Sequence, residues 1–188
     1  MTKDQKILKL KKRILDLENE NEVLRKRLDG ARGVLGEKFV AELTGGVLTR
    51  YKTGHDIEMQ NGTHLEVKTS KPYTERGSTT TRWAWSNILG LNATKKFHYL
   101  VLLGEKDLRY KNCYPPDLEY VCFLVPRSDV NDKIKNSWAT SIALNTNLPT
   151  AKAKNLVALK GYLVHSREEF KGLSPNAAAP EQVAGAGH

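Results

Sequence analysis

The segment from Gly54 to Lys68 constrains the fold of this chain more than any other, because polar and apolar residues alternate there on both sides of an Asn61-Gly62 pair. Alternation with a period of two is typical of a half-buried strand. Asn-Gly is the strongest short-range signal for a tight turn between antiparallel strands. The segment therefore predicts a β-hairpin.

The length of the hairpin loop decides which side chains share a face. A two-residue loop would pair Ile57 with Glu66 and mix apolar and charged side chains on one face. A three-residue loop that ends at Gly62, in the left-handed conformation, instead pairs Asp56 with Glu66. This register gives an apolar face of Ile57, Met59, Leu65 and Val67 and a polar face of Asp56, Glu58, Glu66 and Lys68.

Two carboxylates face each other in the three-residue register. Directly opposed residues have Cβ atoms about 4.5–5.5 Å apart, so Asp56 and Glu66 repel each other unless a cation lies between them. Magnesium suits such a site because one or two carboxylates hold it, with water and phosphate oxygens as its other ligands. We therefore predict a Mg²⁺ site, with Mn²⁺ as a substitute. Lys68, on the same face, is placed to orient or deprotonate an attacking water or to steady negative charge.

Asp56 followed by Glu66-Val67-Lys68 resembles the D and ExK elements of the PD-(D/E)xK nuclease superfamily, to which many restriction endonucleases and Holliday junction resolvases belong. The proline that usually precedes the Asp is His55 here. The resemblance covers roughly residues 33–125, where a predicted helix, strand, hairpin and second helix follow in the family's order. It implies an α/β fold with a restriction-endonuclease-like mixed β-sheet core flanked by helices, and catalytic roles for Asp56, Glu66 and Lys68.

Enzymes of this superfamily often use an acidic residue on the first helix as a further metal ligand or orienting group. The resemblance assigns this catalytic role to Glu37, on a predicted helix over residues 33–44. A solvated helix carboxylate is the alternative. Glu58 and His64 lie nearer the hairpin tip, where we expect surface residues or contacts to a phosphate or a second metal ion.

The first thirty residues carry a heptad pattern without gaps. Isoleucine at heptad position a with leucine at position d favours a coiled coil of two helices. A single polar residue at an a position fixes the register and the dimeric state. Charged residues at e and g are mostly complementary in a parallel pair. Residues 1–30 therefore predict a helix that forms a parallel coiled-coil homodimer, and a helix packed along its own domain is the alternative. The a and d positions are Ile7, Leu10, Ile14, Leu17, Asn21, Leu24 and Leu28.

The net charge of +9 favours a polyanionic partner such as DNA. The first thirty residues hold nine basic and six acidic side chains, so most of the excess lies in the remainder. Basic and polar residues beyond the hairpin are candidate contacts to phosphates, and two of them also to base edges. These DNA-binding candidates are Lys71, Arg76, Arg82, Lys95 and Lys96 for phosphates, and Ser86 and Asn87 for phosphates or bases.

Three regions complete the predicted organisation: the helix at 1–30, a nuclease domain at 31–171, and a disordered tail at 172–188 that is rich in Ala, Gly and Pro. Within the domain, we expect helices over residues 82–91 and 129–144, buried strands over 97–103 and 120–125, and a strand or short helix over 156–165. At least one of Trp83 and Trp85 belongs to the core in this interpretation.

No apolar run approaches the ~20 residues that cross a bilayer, and the N-terminus is charged. We therefore expect no membrane contact and a cytoplasmic protein of a bacterial or phage-like system, in the reduced compartment that two unpatterned cysteines favour. The sequence predicts a homodimeric, Mg²⁺-dependent DNA endonuclease of the type II restriction or phage type. A Holliday junction resolvase acting on branched DNA, a non-catalytic coiled-coil DNA-binding protein and an RNA-directed nuclease are the alternatives.

Overall fold

The structure of the protein, a computed structural model, describes residues 3–49, 54–89, 95–134, 142–150 and 159–174. The chain divides into two compact units, Met1–Leu35 and Gly36–His188. The helices and strands are α1 (Lys3–Thr44), β1 (Val47–Leu48), β2 (Ile57–Glu58), β3 (His64–Ser70), β4 (Tyr73–Thr74), β5 (Thr81–Trp85), β6 (Tyr99–Glu105), β7 (Tyr120–Pro126), α2 (Arg127–Ile134) and β8 (Ile142–Asn145). Short 3₁₀ helices lie at Leu108–Cys113, Leu148–Thr150 and Arg167–Phe170.

The first unit is helical throughout its described length. Helix α1 continues through Gly30 and Gly33, where the sequence predicted a break. The apolar a and d side chains of the heptads are between 40% and 63% exposed. No helix among the described residues is long and apolar enough to span a membrane.

The second unit contains a five-stranded mixed sheet in the order β1-β2-β3-β6-β7. Strands β1, β2 and β3 form an antiparallel meander, β6 lies parallel to β3, and β7 returns antiparallel to β6. A parallel pair needs a crossover connection, and here the chain between β3 and β6 supplies it. The predicted mixed sheet of an α/β protein is confirmed.

Both faces of the interior strand β6 are buried, so the main sheet separates two apolar clusters. One contains Leu100 and Leu102 with the two tryptophans of β5. The other contains Val101 and Leu103 with residues of α1 and the hairpin. The predicted apolar face of the hairpin, Ile57, Met59, Leu65 and Val67, lies in this second cluster.

The predicted helix over residues 82–91 is wrong at its start, because β5 occupies Thr81–Trp85. Strand β5 lies between β4 and β8 in a second, three-stranded sheet. Thr81, Trp83 and Trp85 are buried in alternation with more exposed neighbours, which is the period of a strand. Both indole N–H groups donate to backbone carbonyls of β6, at Glu105 (2.8 Å) and Leu103 (2.9 Å).

Two further expectations need correction. The predicted helix over residues 129–144 is α2 at its start, but Ile142–Asn145 forms β8 and pairs with β5. The predicted disordered tail begins too early at residue 172, because Leu173 is buried and its carbonyl accepts a hydrogen bond from Asn61 Nδ2 (2.6 Å). Residues 175–188 of that tail lie outside the described residues.

Candidate active site

The hairpin has the three-residue loop that the sequence predicted. Ile57 pairs with Leu65 and Glu58 with His64, and Asp56 directly precedes the paired residues of β2. The Gly62 amide donates to the Met59 carbonyl (2.9 Å), and Gly62 has a φ of 78°. Only glycine adopts that conformation without steric cost. The turn therefore fixes the register of β2 against β3.

Asp56 is held at the end of the β2–β3 pairing. Its amide donates to the Leu65 carbonyl (2.9 Å), and its Oδ2 accepts a hydrogen bond from the Val67 amide (2.8 Å). The Asp56 carboxylate thus accepts the hydrogen bond that a backbone carbonyl of a neighbouring strand would otherwise accept from Val67, the residue after Glu66. This contact fixes the orientation of Asp56 toward β3.

Glu66 is the buried centre of the site, with a side chain that is 0% exposed. Its Oε1 forms an ion pair with Lys68 Nζ at 2.6 Å and a second with Lys95 Nζ. The Oε2 atom of Glu66 is buried and has no hydrogen-bond partner among the described residues. Because a buried unsatisfied carboxylate oxygen is costly, this atom fits a ligand position for a cation.

Lys95 has a role that the sequence did not reveal. It was expected to contact phosphate, but it pairs with Glu66 instead. Burial is the largest single influence and lowers the pKa of its ammonium group, but the hydrogen bond to Glu66, the charge of Glu66 and smaller contributions from Lys68 and Asp56 together raise the pKa above its ordinary value. Two lysines therefore supply positive charge to one buried carboxylate.

Glu37 belongs to the same electrostatic cluster. Burial, and next the charge of Asp56, raise the pKa of its carboxyl above the usual 4.5, and Glu66 acts in the same direction. The pKa of Glu66 is raised for the same reasons, burial first and Asp56 second, against the lowering effect of Lys68. The charge of Asp56 thus disfavours ionisation of both Glu37 and Glu66, and a divalent cation would relieve that repulsion.

Gly36 lets helix α1 approach β3 closely. A Cβ atom at Gly36 would lie 2.1 Å from Thr69 Oγ1 and 3.0 Å from a methyl carbon of Leu103. The first distance is too short for real atoms and the second is tight, so a larger residue at this position would force the side chains of Thr69 and Leu103 to shift. The close approach sets the position of the neighbouring Glu37.

We expect Gly36→Ala to destabilise the protein by about 1 kcal/mol. Overpacking costs about 1–3 kcal/mol, and alanine recovers about 0.5–1 kcal/mol of helix propensity. Urea unfolding measures the difference. Gly33→Ala is the matched control, because a Cβ there meets nothing within 4 Å, and it should stabilise the helix. Equal effects of the two substitutions would contradict the close approach at Gly36.

The predicted DNA-binding residues are mostly at the surface. Lys71, Arg76, Ser86, Asn87 and Lys96 are exposed. Arg82 is half-buried, and its guanidinium lies 4.0 Å from Glu75 Oε1. Apart from Lys95, these side chains are available to a ligand.

Three histidines lie beside the carboxylates. The rings of His55 and His64 stack at 3.9 Å between centroids, and His98 Nδ1 accepts a hydrogen bond from the His64 amide (2.9 Å). Burial, and next the proximity of His64, lower the pKa of both His55 and His98. Of this group the sequence singled out only His64.

The contact of Lys95 with Glu66 spans 29 residues of sequence, and no local pattern encodes it. The contact could have been predicted only from the parallel pairing of β3 with β6. Glu66 lies opposite Leu100, so residues just before β6 reach the start of β3.

No model of a known protein family matches the chain, and no curated protein matches it either. The resemblance to the PD-(D/E)xK nucleases therefore depends on the motif and on the geometry around it.

Proposed function

We propose that the protein is a Mg²⁺-dependent DNA endonuclease with a restriction-endonuclease-like fold. The observation that carries the proposal is the arrangement at Glu66. The Asp56 carboxylate accepts a hydrogen bond from the amide of the neighbouring Val67, Lys68 pairs with Glu66, and Glu37 is close enough to share its electrostatic field. The residues that the family resemblance implies are Glu37, Asp56, Glu66 and Lys68.

The carboxylates fit a hard divalent cation. Asp56 and Glu66 would hold Mg²⁺, with Glu37 as a further ligand or orienting group, and the buried Oε2 of Glu66 is a ligand atom without another partner among the described residues. Oxygen ligands, few in number, suit Mg²⁺ better than a softer metal. When bound, the ion supplies positive charge to a phosphate oxygen and lowers the pKa of a coordinated water.

The side chains of the protein position the attacking water and the groups around it. The Lys68 side chain, one-fifth exposed, lies at the boundary between the buried carboxylate and solvent, where its amine can orient a water toward phosphorus. Glu66 holds that amine in place through the 2.6 Å ion pair. The Lys95 side chain is also one-fifth exposed. It lies in the segment before β6 and stabilises the negative charge of Glu66 through its ion pair.

DNA is the proposed substrate because the chain is basic and exposed polar side chains follow β3. The net charge is +9, and Lys71, Arg76 and Lys96 are exposed. Contacts from such side chains to phosphates would position a duplex or a branched DNA independently of its sequence. A type II restriction or phage-type activity on double-stranded DNA is the leading form of the proposal, with a junction resolvase as its alternative.

A second copy of the chain is the proposed partner of α1. The apolar side chains at the a and d positions are exposed. The surface that matches them best is the same row of a and d side chains on a second chain, with Asn21 paired to Asn21 in a parallel coiled coil. Two active sites related by a two-fold axis would match the symmetry of a DNA duplex.

We expect Leu17→Asp to convert the dimer to a monomer, because the substitution buries two carboxylates in the seam. Light scattering after size exclusion measures the mass. Leu8→Asp is the matched control, since Leu8 lies on the same helix outside the a and d positions and is 71% exposed. If the Leu17→Asp protein still has the mass of a dimer, the dimer interface does not consist of the a and d residues of α1.

Cleavage by the purified protein tests the proposed function. Supercoiled plasmid and a four-way junction are incubated with Mg²⁺ or with EDTA, beside Lys68→Ala purified identically as the control for contaminating nuclease. We expect Mg²⁺-dependent nicking or linearisation by the wild-type protein alone. Binding of both DNAs without cleavage would favour the non-catalytic coiled-coil DNA-binding protein, and cleavage of RNA alone would favour an RNA-directed nuclease.

A further inference from the structure

A second group of potential metal ligands lies on the hairpin, outside the set Glu37, Asp56, Glu66 and Lys68. It consists of His55, which precedes β2, Glu58 on β2 and His64 on β3. One ligand atom from each lies within 4.8 Å of the others. We refer to these three residues as the histidine cluster.

The geometry of the histidine cluster is set by the hairpin register. Glu58 and His64 are directly paired across β2 and β3, and His64 Nε2 lies 4.0 Å from Glu58 Oε1. The rings of His55 and His64 are nearly parallel, at 4°. All three side chains therefore point to one place on the hairpin surface.

His98 fixes the backbone beneath this cluster. Its Nδ1 accepts a hydrogen bond from the His64 amide, and its amide donates to the His64 carbonyl, both at 2.9 Å. These two bonds hold the backbone from which the His64 imidazole projects, so His64 loses less freedom when it binds a ligand.

The distances fit a transition metal after a small adjustment. Zinc binds imidazole nitrogen at about 2.0–2.1 Å and carboxylate oxygen at about 2.0–2.2 Å, so tetrahedral ligand atoms lie about 3.3 Å apart. To reach this separation, His64 Nε2 and Glu58 Oε1 must approach each other by less than about 1 Å. A tilt of the His55 ring, half-buried at the hairpin edge, brings its nitrogen lone pair toward the same point.

We propose that His55, Glu58 and His64 form a binding site for a divalent transition metal, Zn²⁺ by preference, distinct from the carboxylate site at Asp56 and Glu66. Two imidazoles and one carboxylate select zinc over magnesium, because Mg²⁺ favours oxygen ligands. Three protein ligands leave a fourth position for water. Because the ligands come from both sides of the loop, the bound ion cross-links the hairpin.

Zinc titration of the full chain tests the site. Calorimetry with ZnCl₂ is carried out in excess Mg²⁺, which occupies the oxygen-rich site. We expect one Zn²⁺ per chain and a rise in the midpoint of thermal unfolding. His64→Ala should weaken zinc affinity by about tenfold or more, whereas Asp56→Asn, which removes a neighbouring charge but no ligand of this site, should weaken zinc affinity much less. His165→Ala is the matched control, because the exposed His165 lies outside the cluster.

A second variant keeps the test informative if His64→Ala fails to fold. Glu58 is exposed, and Glu58→Gln removes a charged ligand while keeping the size of the side chain. Its zinc affinity should also fall by about tenfold. Unchanged zinc affinity in Glu58→Gln and, if that variant folds, in His64→Ala would overturn the proposal. Loss of zinc binding in Asp56→Asn would assign the ion to the carboxylate site instead. Both outcomes are separate from the cleavage assay, so this site and the proposed nuclease activity can fail independently.

Discussion

Replacing Asp56 by asparagine is expected to lower the rate of DNA cleavage by about 10³-fold, because several kcal/mol of transition-state stabilisation depend on the charge that holds the cation. The amide keeps the shape of the carboxylate and one acceptor oxygen, so the hydrogen bond from the Val67 amide (2.8 Å) can persist. The substitution therefore removes charge with little effect on the hairpin. Single-turnover cleavage of a labelled duplex in saturating Mg²⁺ measures the loss.

Asp117→Asn is the matched control, since Asp117 is exposed and outside the site. It should cleave at the wild-type rate. The thermal midpoint of Asp56→Asn should stay close to that of the wild-type protein. An Asp56→Asn protein that is folded and cleaves within about threefold of the wild-type rate, well below the expected 10³-fold loss, would exclude Asp56 as a metal ligand for catalysis.

Removing both lysines from Glu66 is expected to have the largest effect on stability. Lys68→Met with Lys95→Met leaves a fully buried carboxylate without a positive partner among the described residues. Removing the partner of a buried charge costs about 3–5 kcal/mol. Urea unfolding at pH 8 should therefore show a loss of this size. Adding Glu66→Gln to the double variant should recover most of it, because the uncompensated charge is then gone.

The pH dependence of this loss has a definite sign. The pKa of Glu66 already lies above 4.5 in the folded protein, and without the lysines it should rise further. A raised carboxyl pKa means that the folded state binds the proton more tightly, so its contribution to stability is present below pH 4.5 and disappears as pH rises through the folded pKa. The deficit of the double variant should therefore be smaller at pH 5 than at pH 8. A deficit that is equal at both pH values, and that Glu66→Gln does not reduce, would contradict the assigned role of the lysines.

The hairpin could be predicted from sequence because its determinants are local. Alternating polarity allowed two registers, and the sorting of apolar from charged residues selected the one in which Asp56 opposes Glu66. Gly62 then supplied the required positive φ. The pairings of Ile57 with Leu65 and Glu58 with His64 confirm this reasoning.

The elements that escaped prediction depend on distant contacts. Trp83 and Trp85 have the period of a strand, but the resemblance to the nuclease superfamily, which places a helix at this point, favoured a helix over residues 82–91. Pairing with β8, about 60 residues later in the sequence, makes β5 a strand. Tertiary context routinely overrides such local preferences. The contact of Lys95 with Glu66 is nonlocal in the same way.

Direct counting of bound cations tests the central claim that Asp56 and Glu66 share a divalent ion. Electron paramagnetic resonance of Mn²⁺ measures free and bound ion during titration of the wild-type protein and of Glu66→Gln. We predict one Mn²⁺ per wild-type chain that excess Mg²⁺ displaces, and loss of that Mg²⁺-sensitive ion in a folded Glu66→Gln protein. The same Mg²⁺-sensitive binding, at unchanged affinity, in Glu66→Gln would contradict the account.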